Sequence, residues 1–103
     1  MEKEDFKHVS QMESILDKHS ALLEQMSDLL ERFDKSQEEY KQLREYYHSE
    51  QYLIDVQQAD RGKIPAGVKC GVLSEDAVYN MIGDNYDTAV RMLEVATGIL
   101  KAH

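Results

Sequence analysis

Between Asp5 and Tyr47 the chain contains no Gly or Pro, and its apolar residues recur at alternating steps of three and four. Val9, Met12, Leu16, His19, Leu23, Met26, Leu30, Phe33, Gln37, Tyr40, Arg44 and Tyr47 fall on one line, with Ile15, Leu22, Leu29 and Leu43 widening it on one side. This heptad pattern with a broadened stripe predicts a helix over about 5–47 that packs in a bundle. At helical rise it is roughly 60 Å long. Gln37 and Arg44 interrupt the apolar line, so its C-terminal third is expected to pack differently from the rest or to bend.

A second, short helix is expected over about 50–60. Ser49 is a good N-cap, Glu50 places a negative charge at the positive end of the helix dipole, and Tyr52, Leu53 and Val56 form a short apolar face. Gly62 is placed to stop it. Residues 61–73 then read as a loop broken by Gly62, Pro65, Gly67 and Gly71. A last helix over about 75–101 carries the seam Tyr79, Ile82, Tyr86, Ala89, Leu93, Ala96 and Leu100, with Ser74 as the expected cap. Gly83 and Gly98 weaken that helix unless they admit a close neighbour. The fold class is all-α: a long helical hairpin, or antiparallel three-helix bundle, of two long helices and one short in a single domain. The first helix outruns the last by some fifteen residues, or roughly 20 Å. Either the short helix or a second chain covers the surplus, and a homodimer is expected.

Composition narrows the chemistry. The 103 residues hold 12 Lys plus Arg against 20 Asp plus Glu, a net charge of −8. That balance disfavours direct binding of nucleic acid and of anionic membranes, and it favours a protein partner with a basic surface. The charged start Met1-Glu2-Lys3-Glu4-Asp5 reads as neither leader nor anchor. No stretch approaches the ~20 apolar residues of a membrane span. The lone Cys70 cannot staple the chain, which points to the cytoplasm.

No nucleophile, metal-ligand or phosphate-loop pattern is present, so the protein reads as non-enzymatic, with no cofactor or metal. His19 lies on the apolar seam and is expected to be a packed core residue. Cys70, beside Lys69, reads as a small hydrophobe rather than a reactive thiol. The six tyrosines, Tyr40, Tyr46, Tyr47, Tyr52, Tyr79 and Tyr86, are expected to gather into one aromatic group around the loop. The loop is the one locally basic stretch, with Arg61, Lys63 and Lys69 and no acid. The candidate partner- or anion-binding residues are therefore Lys63, Lys69, Ser74, Tyr47, Tyr52 and Tyr79. Glu75 and Asp76 stand nearby, and internal salt bridges from the two lysines are favoured over a ligand.

Tyr46-Tyr47, Ser49-Glu50, Asp55, Gly62-Lys63-Ile64-Pro65 and the run Lys69-Cys70-Gly71-Val72-Leu73-Ser74-Glu75-Asp76-Ala77-Val78-Tyr79 resemble the signature of a bacterial family of small proteins, domain-of-unknown-function family 4298. The resemblance covers most of the chain. It differs in carrying Cys70 where members more often have Arg, and Tyr52 where they more often have Trp, which argues against an essential thiol. The resemblance implies a cytoplasmic helical protein and brings no mechanism.

Three functions are compatible with these features. The leading one is a helical protein–protein interaction module. A second is a small-anion or nucleotide-binding protein that uses the basic loop. The third is an acidic, nucleic-acid-mimicking inhibitor of a nucleic-acid-binding enzyme, of the kind phages use against host defences. On the last, Lys18, Arg32, Lys35 and Lys41 break up the acidic surface of the first helix, and a solvated face accounts for it better.

Overall fold

A computed structural model describes residues 5–103. Met1 to Glu4, most of the charged start, lie outside the described residues. The chain is all-α, and among the described residues no strand forms. The helices are α1 (Lys7–Tyr47), α2 (Glu50–Asp60) and α3 (Ala77–Ala102), with a 3₁₀ turn at Gly71–Leu73.

The chain divides into two compact units, one running to Glu39 and the other Tyr40–His103. The first is a single length of α1. Its apolar line from Val9 to Leu30 is open to solvent: Val9, Met12, Leu16, Leu23, Met26 and Leu30 are 50, 56, 60, 58, 49 and 44% exposed. His19 is exposed too, which corrects its reading as a core residue. Two i,i+4 ion pairs brace the polar side, Arg32 to Asp28 at 3.8 Å and Lys35 to Glu31 at 3.2 Å. Both are exposed, and such pairs contribute at most about 0.5 kcal/mol each.

The second unit holds the end of α1, α2, the 3₁₀ turn and α3. Here the packing changes, as the polar residues in the α1 seam imply: Leu43, Tyr46 and Tyr47 are half-buried. Tyr52 on α2 and Val78 on α3 form the buried apolar core, at 9 and 3% exposure. The 3₁₀ turn packs against both α2 and α3 and so closes the corner between them. Its Val72 and Leu73 are half-buried.

Local chemistry explains the turns around this corner. Ser49 has extended backbone (φ −96°, ψ 162°), and its Oγ accepts the Tyr52 N–H at 3.2 Å. The same Oγ donates to the Tyr46 carbonyl at 2.6 Å, so one hydroxyl ties the end of α1 to the start of α2. At the far end of α2, Gly62 adopts φ +70°, where a side chain costs roughly 1 kcal/mol or more. The Gly62 N–H reaches the Ala59 carbonyl at 3.0 Å and the Lys63 N–H reaches Gln58 at 2.9 Å. This pair of reversed bonds satisfies carbonyls that the helix end leaves open.

Ser74 does not cap α3. It lies outside the helix in extended backbone (φ −70°, ψ 150°), and its N–H closes the 3₁₀ turn onto the Gly71 carbonyl at 3.1 Å. Asp76 takes the cap position with helical backbone and no side-chain hydrogen bond. The 3₁₀ turn uses the residues that a free N-cap at Ser74 needs, so the helix begins at Ala77. Gly83 and Gly98 admit no close neighbour within the chain; a Cβ at either meets open space.

Candidate functional site

The tyrosines and the basic loop expected to form one site separate into parts. Tyr46, Tyr47 and Tyr52 gather where α1 meets α2. The Tyr52 ring stands edge-on to Tyr46, centroids 5.5 Å apart at 88°, and tilted against Tyr47 at 5.1 Å and 60°. These are the offset geometries that ring quadrupoles favour. His48 adds an edge contact to Tyr47 at 5.2 Å. Tyr40 joins no ring; Arg44 lies over its face, 5.6 Å from the centroid. Tyr79 and Tyr86 are exposed and make no ring contact among the described residues, which corrects the expectation of one six-membered group.

A polar latch accompanies the rings. The Tyr46 hydroxyl donates to Asp55 Oδ2 at 2.5 Å, and Gln51 Nε2 donates to Asp55 Oδ1 at 2.9 Å. Donation to the carboxylate holds the Tyr46 hydroxyl proton in place. Its pKa is pushed up to about 12, first by that hydrogen bond, then by burial and the Asp55 charge. The hydrogen bonds from Tyr46 and then Gln51 hold the Asp55 carboxyl below the usual carboxylate range. In the sequence Asp55 stands out only as part of the family signature, with no role attached, and Gln51 does not stand out. The signal was faint, because Asp55 meets Tyr46 only after the turn at Ser49 reverses the chain.

The loop cations stand apart from this cluster. Lys63 and Lys69 are exposed, and neither forms an ion pair with any described residue. The expected salt bridges to Glu75 and Asp76 are absent, since all four side chains remain in water, where such pairing gains little. Cys70 is exposed as well. Among the described residues no three His, Cys, Asp or Glu side chains are grouped as metal ligands, and no helix is long and apolar enough to cross a membrane.

The arrangement at the corner is therefore structural: rings packed edge-on or tilted, with the Tyr46 and Ser49 hydroxyls and the Asp55 carboxylate bonded locally. The surfaces left for recognition are the open helical stripes and the loop cations. Comparison with known proteins agrees with the signature around the corner. Residues 9–95 match the profile of the domain of unknown function DUF4298. The chain belongs to this family. The match takes in most of α1, all of α2 and the loop, and α3 to Val95. No curated protein matches the chain.

Proposed function

We propose that this member of the DUF4298 family is a non-enzymatic, cytoplasmic helical module that binds another protein along the Val9–Leu30 stripe of α1. The observation that supports this reading is the openness of that stripe, half exposed over six seam positions. Single exposed apolar residues mean little, but a contiguous apolar line on a monomer marks an interaction face. At about 100° per residue, Glu13, Asp17, Glu24 and Glu31 fall along one flank of it. The matching partner is an amphipathic helix with basic residues beside its apolar face, the helix-in-groove mode of recognition.

Capture from the native cell, run in parallel with variants, tests it. Leu23→Asp removes the apolar contact and Glu13→Lys/Glu24→Lys reverses the rail, and both positions are exposed enough to leave the helix intact. A partner lost by both variants supports the reading. Equal capture by wild type and both variants sinks it.

A second reading rests on its own observation, the unpaired Lys63 and Lys69 in an acid-free loop. A small anion or a nucleotide phosphate suits such a pair. A melting shift with phosphate-bearing compounds that disappears in Lys63→Ala/Lys69→Ala supports it, and a flat screen removes it.

A further inference from the structure

The four most exposed large hydrophobic side chains among the described residues are Leu100 at 75%, Tyr86 at 70%, and Tyr79 and Leu93 at 68% each. They are spaced by seven residues without exception. Leu53, on another helix, follows at 61%. A strict seven-residue repeat drifts by only ~20° per step on a straight helix, and a left-handed supercoil removes that drift. These residues therefore make one straight seam along α3, roughly 30 Å long.

The charged residues of α3 are confined to a narrow arc, with Asn85, Thr88 and Thr97 the polar residues outside it. At about 100° per residue, Asn80, Asp84, Asp87, Arg91, Glu94 and Lys101 occupy about 100° of the circumference. Most of the remaining arc is apolar, about twice the stripe that one packed neighbour requires. The protein's own fold covers part of it: Val78 is buried and Ile82 and Asn85 are half-buried, and beyond Asn85 every residue of α3 is exposed. The 79/86/93/100 seam lies to one side of that covered face.

We propose that this seam is a homodimer interface in which α3 of one copy packs antiparallel against α3 of a second. The side chains are self-complementary in that direction. A two-fold axis between positions 89 and 90 sets Tyr79 against the partner's Leu100 and Tyr86 against the partner's Leu93. Each of the four layers then pairs one ring with one aliphatic chain, whereas a parallel pair stacks Tyr on Tyr and Leu on Leu. Antiparallel alignment also sets opposite helix dipoles side by side, and the tyrosine hydroxyls reach water at the rim. At about 200 Å² per large side chain, the seam removes roughly 550 Å² per copy and about 1,100 Å² in all, the lower edge of specific interfaces. The dimer is therefore of modest affinity. Each copy carries a net charge of −8, so added salt screens the repulsion between copies and strengthens the association.

This interface is distinct from the α1 stripe assigned above to a different protein, and sedimentation equilibrium on the full chain tests it separately. Between about 5 and about 500 µM, the 11.9 kDa chain is expected to pass from monomer to dimer, more completely at high salt. Leu93→Glu and Tyr86→Arg should each raise the dissociation constant at least tenfold, with unchanged helical circular dichroism in dilute solution. In a Cys70→Ser background, Val90→Cys should cross-link to itself and Leu100→Cys should not. A monomer throughout that range overturns the proposal, as does a dimer indifferent to both α3 variants but lost on Leu23→Asp. Self-cross-linking at Leu100→Cys and none at Val90→Cys overturns the antiparallel register.

Discussion

The stretch of α1 up to Leu30 and the corner around Ser49 are written in similar residues and end in opposite states. Both carry large apolar side chains at helical spacing. In the corner, Tyr46, Tyr47 and Tyr52 find one another within a few residues of a capped turn, and Tyr52 is buried. Along the first part of α1 the corresponding side chains stay open. The contrast shows that an amphipathic pattern commits a segment to a helix with an apolar face, while burial needs a second segment delivered to that face. At the corner a two-residue link, His48 and Ser49, delivers it. The Val9–Leu30 stripe has no such local neighbour, and that leaves it available for recognition.

The largest effect expected from this contrast is a difference in stability. Tyr52→Ala removes the central ring of the corner and should cost about 3 kcal/mol in urea unfolding. Leu23→Asp, in the open stripe, should stay within about 0.5 kcal/mol of wild type. Equal losses in the two variants would break the comparison, because they would mean that the stripe is covered after all.

A smaller effect separates two serines. Ser49→Ala loses both the cap to the Tyr52 N–H and the bond to the Tyr46 carbonyl, and should lower stability by about 1 kcal/mol. Ser74→Ala leaves the start of α3 intact and should change it by about 0.5 kcal/mol or less. Melting curves of the two variants side by side check this, and a reversed order would restore Ser74 as the cap.

The smallest effect is read in pH. The Asp55 pKa is depressed on folding, so its contribution is full above the ordinary value of 3.8 and is lost as the pH falls through the lower, folded one. The Tyr46 pKa is raised, so its contribution is full below 10.0 and is lost between pH 10 and about 12. Tyr46→Phe should lower stability between pH 5 and 9, where the latch contributes fully, and approach wild type at both extremes, so that the profile flattens at its two ends. A variant profile with the same slopes as wild type at both extremes would show that the latch does not contribute.

Much of this architecture is decided within four residues along the chain. The absence of Gly and Pro up to Tyr47, the hydroxyl of Ser49, and Gly62 as the residue that tolerates φ +70° set the reach of α1 and α2, because helix hydrogen bonds and their caps are local. The family signature around Gly62 to Tyr79 was legible for the same reason, being a contiguous run of turn-forming and capping residues. The tertiary structure decided the rest. Ser74 has the chemistry of a cap, yet the 3₁₀ turn packing between α2 and α3 takes its backbone and moves the helix start to Ala77. Tyr79 and Tyr86 lie on the same helix as the buried Val78 but turn outward, and Lys63 and Lys69 form no ion pair with any described residue. On a helix apolar over most of its circumference, composition cannot select the side to be covered. Packing selects it: the 3₁₀ turn lies against α3, whose covered face is that of Val78 and Ile82, and the seam from Tyr79 to Leu100 is left open.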